Sequence, residues 1–195
     1  MRLINIGGID LGNGTSGYGV ITADLNTGEI IKVKAVPIKL EPLSRILIQS
    51  ADGVMRLDKL WAYRQHLESL LHRDNIEVIG VEEPFMNKYT ASAFGPLREL
   101  LLVTKYAIWS LPSTTVYKGI SPMEVKKRVG VIADYHDKDR VRTGVIALGL
   151  PYVGDVPLSH LDNNAIDSIG VAYCTYQDYF AKLKPKGTLC KLHPN

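Results

Sequence analysis

Four carboxylates stand where chemistry could be built. Asp10 closes the apolar run Leu3 to Ile9, Glu82 closes Ile76 to Val81, and Asp162 and Asp167 open the apolar segment 165–176. Acids that end buried strands and start helices can converge at one edge of a sheet. Held together they repel, and the usual relief is a hard divalent cation with oxygen ligands, such as Mg2+ or Mn2+. That arrangement suits two-metal phosphodiester hydrolysis.

The elements that must position these acids follow from the pattern of apolar residues. Residues 3–10 read as a central strand. Gly12, Gly14 and Gly17 permit a tight turn into a second strand, Tyr18 to Ala23. The turn Asn26-Thr27-Gly28 leads to a third strand, Glu29 to Val36, which makes an antiparallel hairpin pair. From Leu43 to Arg73, apolar residues near the 3.6 period predict a helix. Ile76 to Val81 is a buried strand, and a second helix over 90–109 is interrupted near Gly95-Pro96. Residues 114–117 form a short strand, and Pro122 opens a short helix through Arg128. Helices over 137–148 and 162–180 complete the order. The economical answer is an α/β layer fold, with a mixed five-stranded sheet flanked by helices; strands 1–3 are antiparallel and the later ones parallel. A single domain over 1–180 is expected. Residues 181–195 carry Lys182, Lys184, Lys186 and Lys191 with no acid, and read as a basic, flexible tail.

The chain has 195 residues, 46% hydrophobic and 22% charged, with a net charge of +3. This is ordinary for one globular domain, and the mild basic excess is compatible with a polyanionic partner. Cys174 and Cys190 form no CxxC pair, so neither a structural zinc nor a disulfide framework is expected, and an intracellular, cytoplasmic setting is the default. No apolar stretch reaches the roughly 18 residues of a membrane span, and the N-terminus lacks the h-region of a signal peptide.

The string GIDLGNGTSGYGVI (8–21) resembles the first motif of RuvC-type Holliday junction resolvases, in the ribonuclease H-like nuclease superfamily, possibly a phage-type member. VIGVEEPFMNKYTASA (78–93) resembles their second motif, and DNNAIDSIGVAY (162–173) their last. EVKKRVGVIADYHDKDRV (124–141) is similar to the region that carries DNA-contacting lysines. The resemblance covers roughly residues 3 to 180, with the motifs in the family's order. It implies a ribonuclease H-like fold and a homodimer that nicks four-way DNA junctions symmetrically. Two Mg2+ ions, with Mn2+ as a substitute, would be held by Asp10, Glu82 and Asp167 with Asn164 or Asp162. Phe85 would stack on an unpaired base, and Lys126 and Lys138 would contact DNA. No nucleotide cofactor and no membrane are implied.

One departure matters: the family's last motif commonly has ligands three residues apart, and here that position is Asn164. Its amide oxygen could serve at lower charge. Asp162 is equally an N-cap or a ligand. Asp167 lies inside a helix, where Asp has poor propensity, which points to function. Glu83, next to Glu82 on a strand, must face the other way and solvate or pair with a base. Phe85 has core packing as its plain alternative. Lys118, Lys126, Lys127, Arg128, Lys138, Arg140 and Arg142 form a basic group suited to phosphate contact, or else a solvated face. Leu97, Leu100, Leu101, Val103 and Ile108 on the second helix are candidates for a dimer interface or for simple core. Three rival readings remain: a sugar-kinase-like or actin-like ATPase, for which the chain lacks a second phosphate loop; a junction-binding protein without catalysis; and a broader nuclease for flaps and other branched DNA.

Overall fold

The computed structural model describes residues 1–40, 52–85, 91–130 and 139–183. In chain order they form β1 (Leu3–Asp10), β2 (Thr15–Asp24), β3 (Ile30–Lys39), α1 (Asp52–Arg73), β4 (Val78–Glu82), α2 (Ala91–Trp109), β5 (Val116–Ile120), α3 (Pro122–Arg128), α4 (Asp139–Ala147), a 3-10 turn (Leu158–His160) and α5 (Asn163–Leu183). The sheet order is β3-β2-β1-β4-β5. β1, β2 and β3 are antiparallel, whereas β4 and β5 run parallel to β1. This is the mixed, helix-flanked sheet expected from the sequence.

One face of the sheet is covered by α1 and α2, through Leu67, Leu71, Leu100 and Leu101 against Ile9, Tyr18, Ile79 and Val81. The other carries α5, whose Ala165, Ile166, Ile169 and Ala172 pack on Ile21, Val33 and Ala35. α5 lies unusually close to the strands. A Cβ at Gly8 would strike the backbone of Ser168 and Ala172, and one at Gly17 the backbone of Asn164 and Ala165. Gly17 therefore sits within β2 and clears room for the helix, rather than shaping the turn expected of it.

Other differences are local. α2 runs unbroken through Pro96. Proline there removes one hydrogen bond near the helix start, and the packed residues beyond it hold the helix together. β5 begins at Val116, two residues later than expected. α5 continues to Leu183 because Tyr179 and Phe180 pack against the cluster of Ile4, Ile6 and Val78, so the helix reaches past the expected end of the domain. Residues 43–51 of the expected first helix, and the tail from 184, lie outside the described residues. Among those described, no helix is long and apolar enough to cross a membrane.

Candidate active site

β1 and β4 are parallel neighbours, with Ile9 beside Val81. One residue further on, Asp10 and Glu82 end their strands side by side, and the first turns of α5 bring Asp167 over the same corner. Asp10 is buried, while Glu82 and Asp167 are half-buried. The electrostatics show that they share one field. Burial, then the charges of Glu82, Asp167 and Asp162, pushes Asp10 well above the ordinary carboxylate range. Burial and Asp167 push Glu82 up to about 7, against the pull of Lys126. Asp167 is pushed up to about 6 by burial, moderated by Lys126 and Arg142 and reinforced by Asp162.

Asp162 caps α5: its carboxylate accepts the Asn164 N–H at 2.9 Å, and its carbonyl accepts the Ile166 N–H at 2.9 Å. Its charge nonetheless reaches Asp10 and Asp167. Asn164, one turn before Asp167, lies against Gly12, so that a Cβ at that glycine would stand 3.3 Å from its Oδ1. Glu83 turns the other way and pairs with Lys105 at 3.9 Å.

A cleft opens from this corner, lined by Asp10, Glu82, Phe85, Leu97, Met123 and Lys126. Phe85 is 60% exposed there and Met123 61%, where ordinary core side chains would be covered. Met123 escaped sequence reading because a lone methionine in a short helix carries no signal. Lys118 is placed elsewhere. Its ammonium pairs with Asp178 and with Glu124 (3.3 Å), and Arg128 joins both acids. Asp178 is about three helical turns along α5 from Asp167, so Lys118 is engaged in holding β5, α3 and α5 together. Lys138 lies outside the described residues. The His160 ring meets the hydroxyl of its neighbour Ser159 at 3.0 Å, and its backbone N–H donates to the Pro157 carbonyl at 2.9 Å.

Among the described residues, no three His, Cys, Asp or Glu side chains stand close enough to enclose one ion. The donor chemistry still suits a hard divalent cation, because carboxylates and an amide supply only oxygen. Mg2+ characteristically takes one or two carboxylates and completes its octahedron with water and phosphate, so a full protein cage is not required.

No family model matches the sequence, and no curated protein matches it. Solved structures do match. The Thermus thermophilus RuvC in complex with a Holliday junction substrate superposes with a TM-score of 0.61 at 19% identity, covering 93% of this chain and 96% of that one. A second T. thermophilus RuvC structure gives 0.58 at 21%, covering 92% and 96%. The yeast mitochondrial Holliday junction resolvase Ydc2 gives 0.61 at 13%, covering 91% and 81%. The fold is RuvC-like. At these identities the likeness is one of fold, and the coverage shows that it extends over nearly the whole chain. Within that RuvC-like sheet, Asp10 and Glu82 occupy the carboxyl ends of adjacent parallel strands, where open α/β sheets hold their ligands.

Proposed function

We propose that this chain is a metal-dependent endonuclease that resolves four-way DNA junctions by paired, symmetric nicks. The observation that carries the reading is the convergence of Asp10, Glu82 and Asp167 at one corner, each pushed up by burial and by its acidic neighbours. Such a corner is unfavourable in itself, and perturbed acids beside a cleft mark functional sites. The RuvC-like fold, met in a structure bound to a junction, supports the choice of DNA.

Asp10, Glu82 and Asp167, with Asn164 or Asp162, would hold two Mg2+ ions. Bound there, the ions would supply a water of lowered pKa and charge stabilisation for the departing 3′ oxygen, giving 5′-phosphate and 3′-hydroxyl ends. The chain's own residues do the rest. Buried Asp10 and half-buried Glu82 and Asp167 fix where positive charge collects, Lys126 adds a cation to the cleft that receives the phosphate, and exposed Phe85 offers a face for an unpaired base, a contact worth roughly 1–3 kcal/mol. A junction has near two-fold symmetry, so two copies related by a two-fold axis would present two such corners to opposed strands.

The test is incubation with end-labelled four-way junctions, flaps and linear duplex, with and without Mg2+. Symmetric nicks confined to the junction and dependent on Mg2+ are expected. Flap cutting at an equal rate would replace this reading with a broader branched-DNA nuclease. Tight junction binding with no cutting in either Mg2+ or Mn2+ would leave a binding protein.

A further inference from the structure

Arg142 projects from α4 toward the segment that delivers the last acidic motif. Its guanidinium donates to the Leu158 carbonyl through Nη1 at 2.7 Å, and through Nη2 to the Leu161 carbonyl at 2.7 Å and to Asn163 Oδ1 at 2.5 Å. Leu161 and Asn163 flank Asp162 directly, so one side chain grips the chain on both sides of the helix cap. Asp162 in turn holds the Asn164 N–H. The first turn of α5, with Asn164 and Asp167, is thus built outward from this clamp.

The sequence groups Arg142 with the cations that would hold DNA phosphates. The geometry points to a different role: Arg142 is a positioning residue that sets the start of α5, and with it Asp162, Asn164 and Asp167, for metal binding. This rests on the nuclease reading above for its consequence, though not for its geometry. Three features separate the roles. The guanidinium's contacts are internal backbone carbonyls and an amide, both protons of Nη2 are engaged, and Arg142 is not among the side chains that line the cleft. A planar fork is needed to reach three acceptors at once, which a lysine ammonium on a flexible stem does not replace.

Arg142→Lys keeps the charge and removes the fork, and Arg142→Gln removes both. In the metal-free full chain, hydrogen exchange should quicken at the amides of 161–167 in Arg142→Lys while the second half of α5 stays protected. In junction assays, affinity measured without divalent ions should stay within about twofold of the parent, with the same dependence on salt. Single-turnover cutting should fall, and the Mg2+ concentration for half-maximal rate should rise, by roughly the 10–100-fold typical of residues that orient metal ligands. Unchanged exchange in both variants would overturn the proposal. So would a weaker junction affinity with a salt slope reduced by about one charge, which is the signature of a lost phosphate contact. If the parent protein neither binds nor cuts junctions, the nuclease reading fails alone, and the exchange data still decide the role of Arg142.

Discussion

Asp10 and Asp74 are both buried aspartates, and burial leaves them in opposite states. Asp74 is pushed up by burial, yet the hydrogen bonds from Arg73 (3.1 Å), Lys34 (2.6 Å) and Tyr18 (3.0 Å) outweigh it and hold its carboxyl below the ordinary range. Asp10 has acids where Asp74 has donors. The consequence for stability follows from which state binds protons more tightly. Asp74 stabilises the fold above its unfolded pKa near 4, and that contribution is lost as pH falls through its depressed folded value. Asp10, Glu82 and Asp167 contribute fully only below about pH 4, and their contribution is lost as pH rises through their folded values, about 6 for Asp167 and about 7 for Glu82. In EDTA at pH 7.5, Asp10→Asn should therefore melt higher than the parent, by roughly 2–4 °C for each kcal/mol of repulsion relieved; with Mg2+ supplied, where the parent cuts, it should bind junctions and leave them uncut. Asp74→Asn should melt lower at pH 7.5, with the difference shrinking as pH falls through the depressed folded value of Asp74. A lower melting temperature for Asp10→Asn at pH 7.5 would make Asp10 a structural acid. That Asp74 is buried among donors is not legible in its local sequence, because Tyr18 and Lys34 reach it from β2 and β3.

At the scale of elements, the legible part of the chain was whatever is local. Apolar runs stop where strands stop, so the ends of β1 and β4 put Asp10 and Glu82 at adjacent strand tips, and alternation along a strand is enough to separate Glu82 from Glu83. What depends on remote partners was not legible. Lys118 looked available until Asp178 and Glu124 were found beside it, and Arg142 looked like one more surface cation until its carbonyl partners were in place. The glycines of the first motif are the clearest case. The sequence assigns Gly17 to the turn after β1, whereas it is a strand residue that, with Gly8 in β1, lets α5 approach. That close approach sets how near Asp167 comes to Asp10. Gly8→Ala should force α5 off the sheet or strain the strand, because the obstruction is backbone, with a loss of about 1–3 kcal/mol. Gly14→Ala, whose Cβ would meet nothing within 4 Å, is the matched control. Urea melts of the two variants decide the matter. Equal stability would mean that α5 has slack, and that its distance from the acids is not fixed by packing.

For the whole molecule, the open question of the proposed function is how one active corner per chain yields paired nicks. The residues expected for a dimer interface on α2 divide by helical phase: Leu100, Leu101 and Ile108 are buried in the chain's own core, and Val103 packs against it. The same helix turns Leu102, Tyr106 and Trp109 outward, spaced to share one face, with the Tyr106 and Trp109 rings stacked at 6.5 Å and Trp109 81% exposed. Leu57 and Trp61 are likewise exposed on neighbouring α1. A second copy seated across this face by a two-fold axis would cover apolar surface on both chains. Light scattering at micromolar protein should then report a dimer, and Trp109→Glu with Leu102→Glu should report a folded monomer that still melts cooperatively, its melting temperature lowered only by the lost association, since neither side chain is in the core. The functional readout is a supercoiled plasmid bearing an extruded cruciform. Two nicks made within one binding event linearise it, but a single nick releases the supercoiling that sustains the cruciform and removes the substrate. The parent should give linear product and the monomeric variant nicked circles. A variant that remains dimeric, or a monomer that still linearises the plasmid, would show that the α1–α2 face does not couple the two cuts.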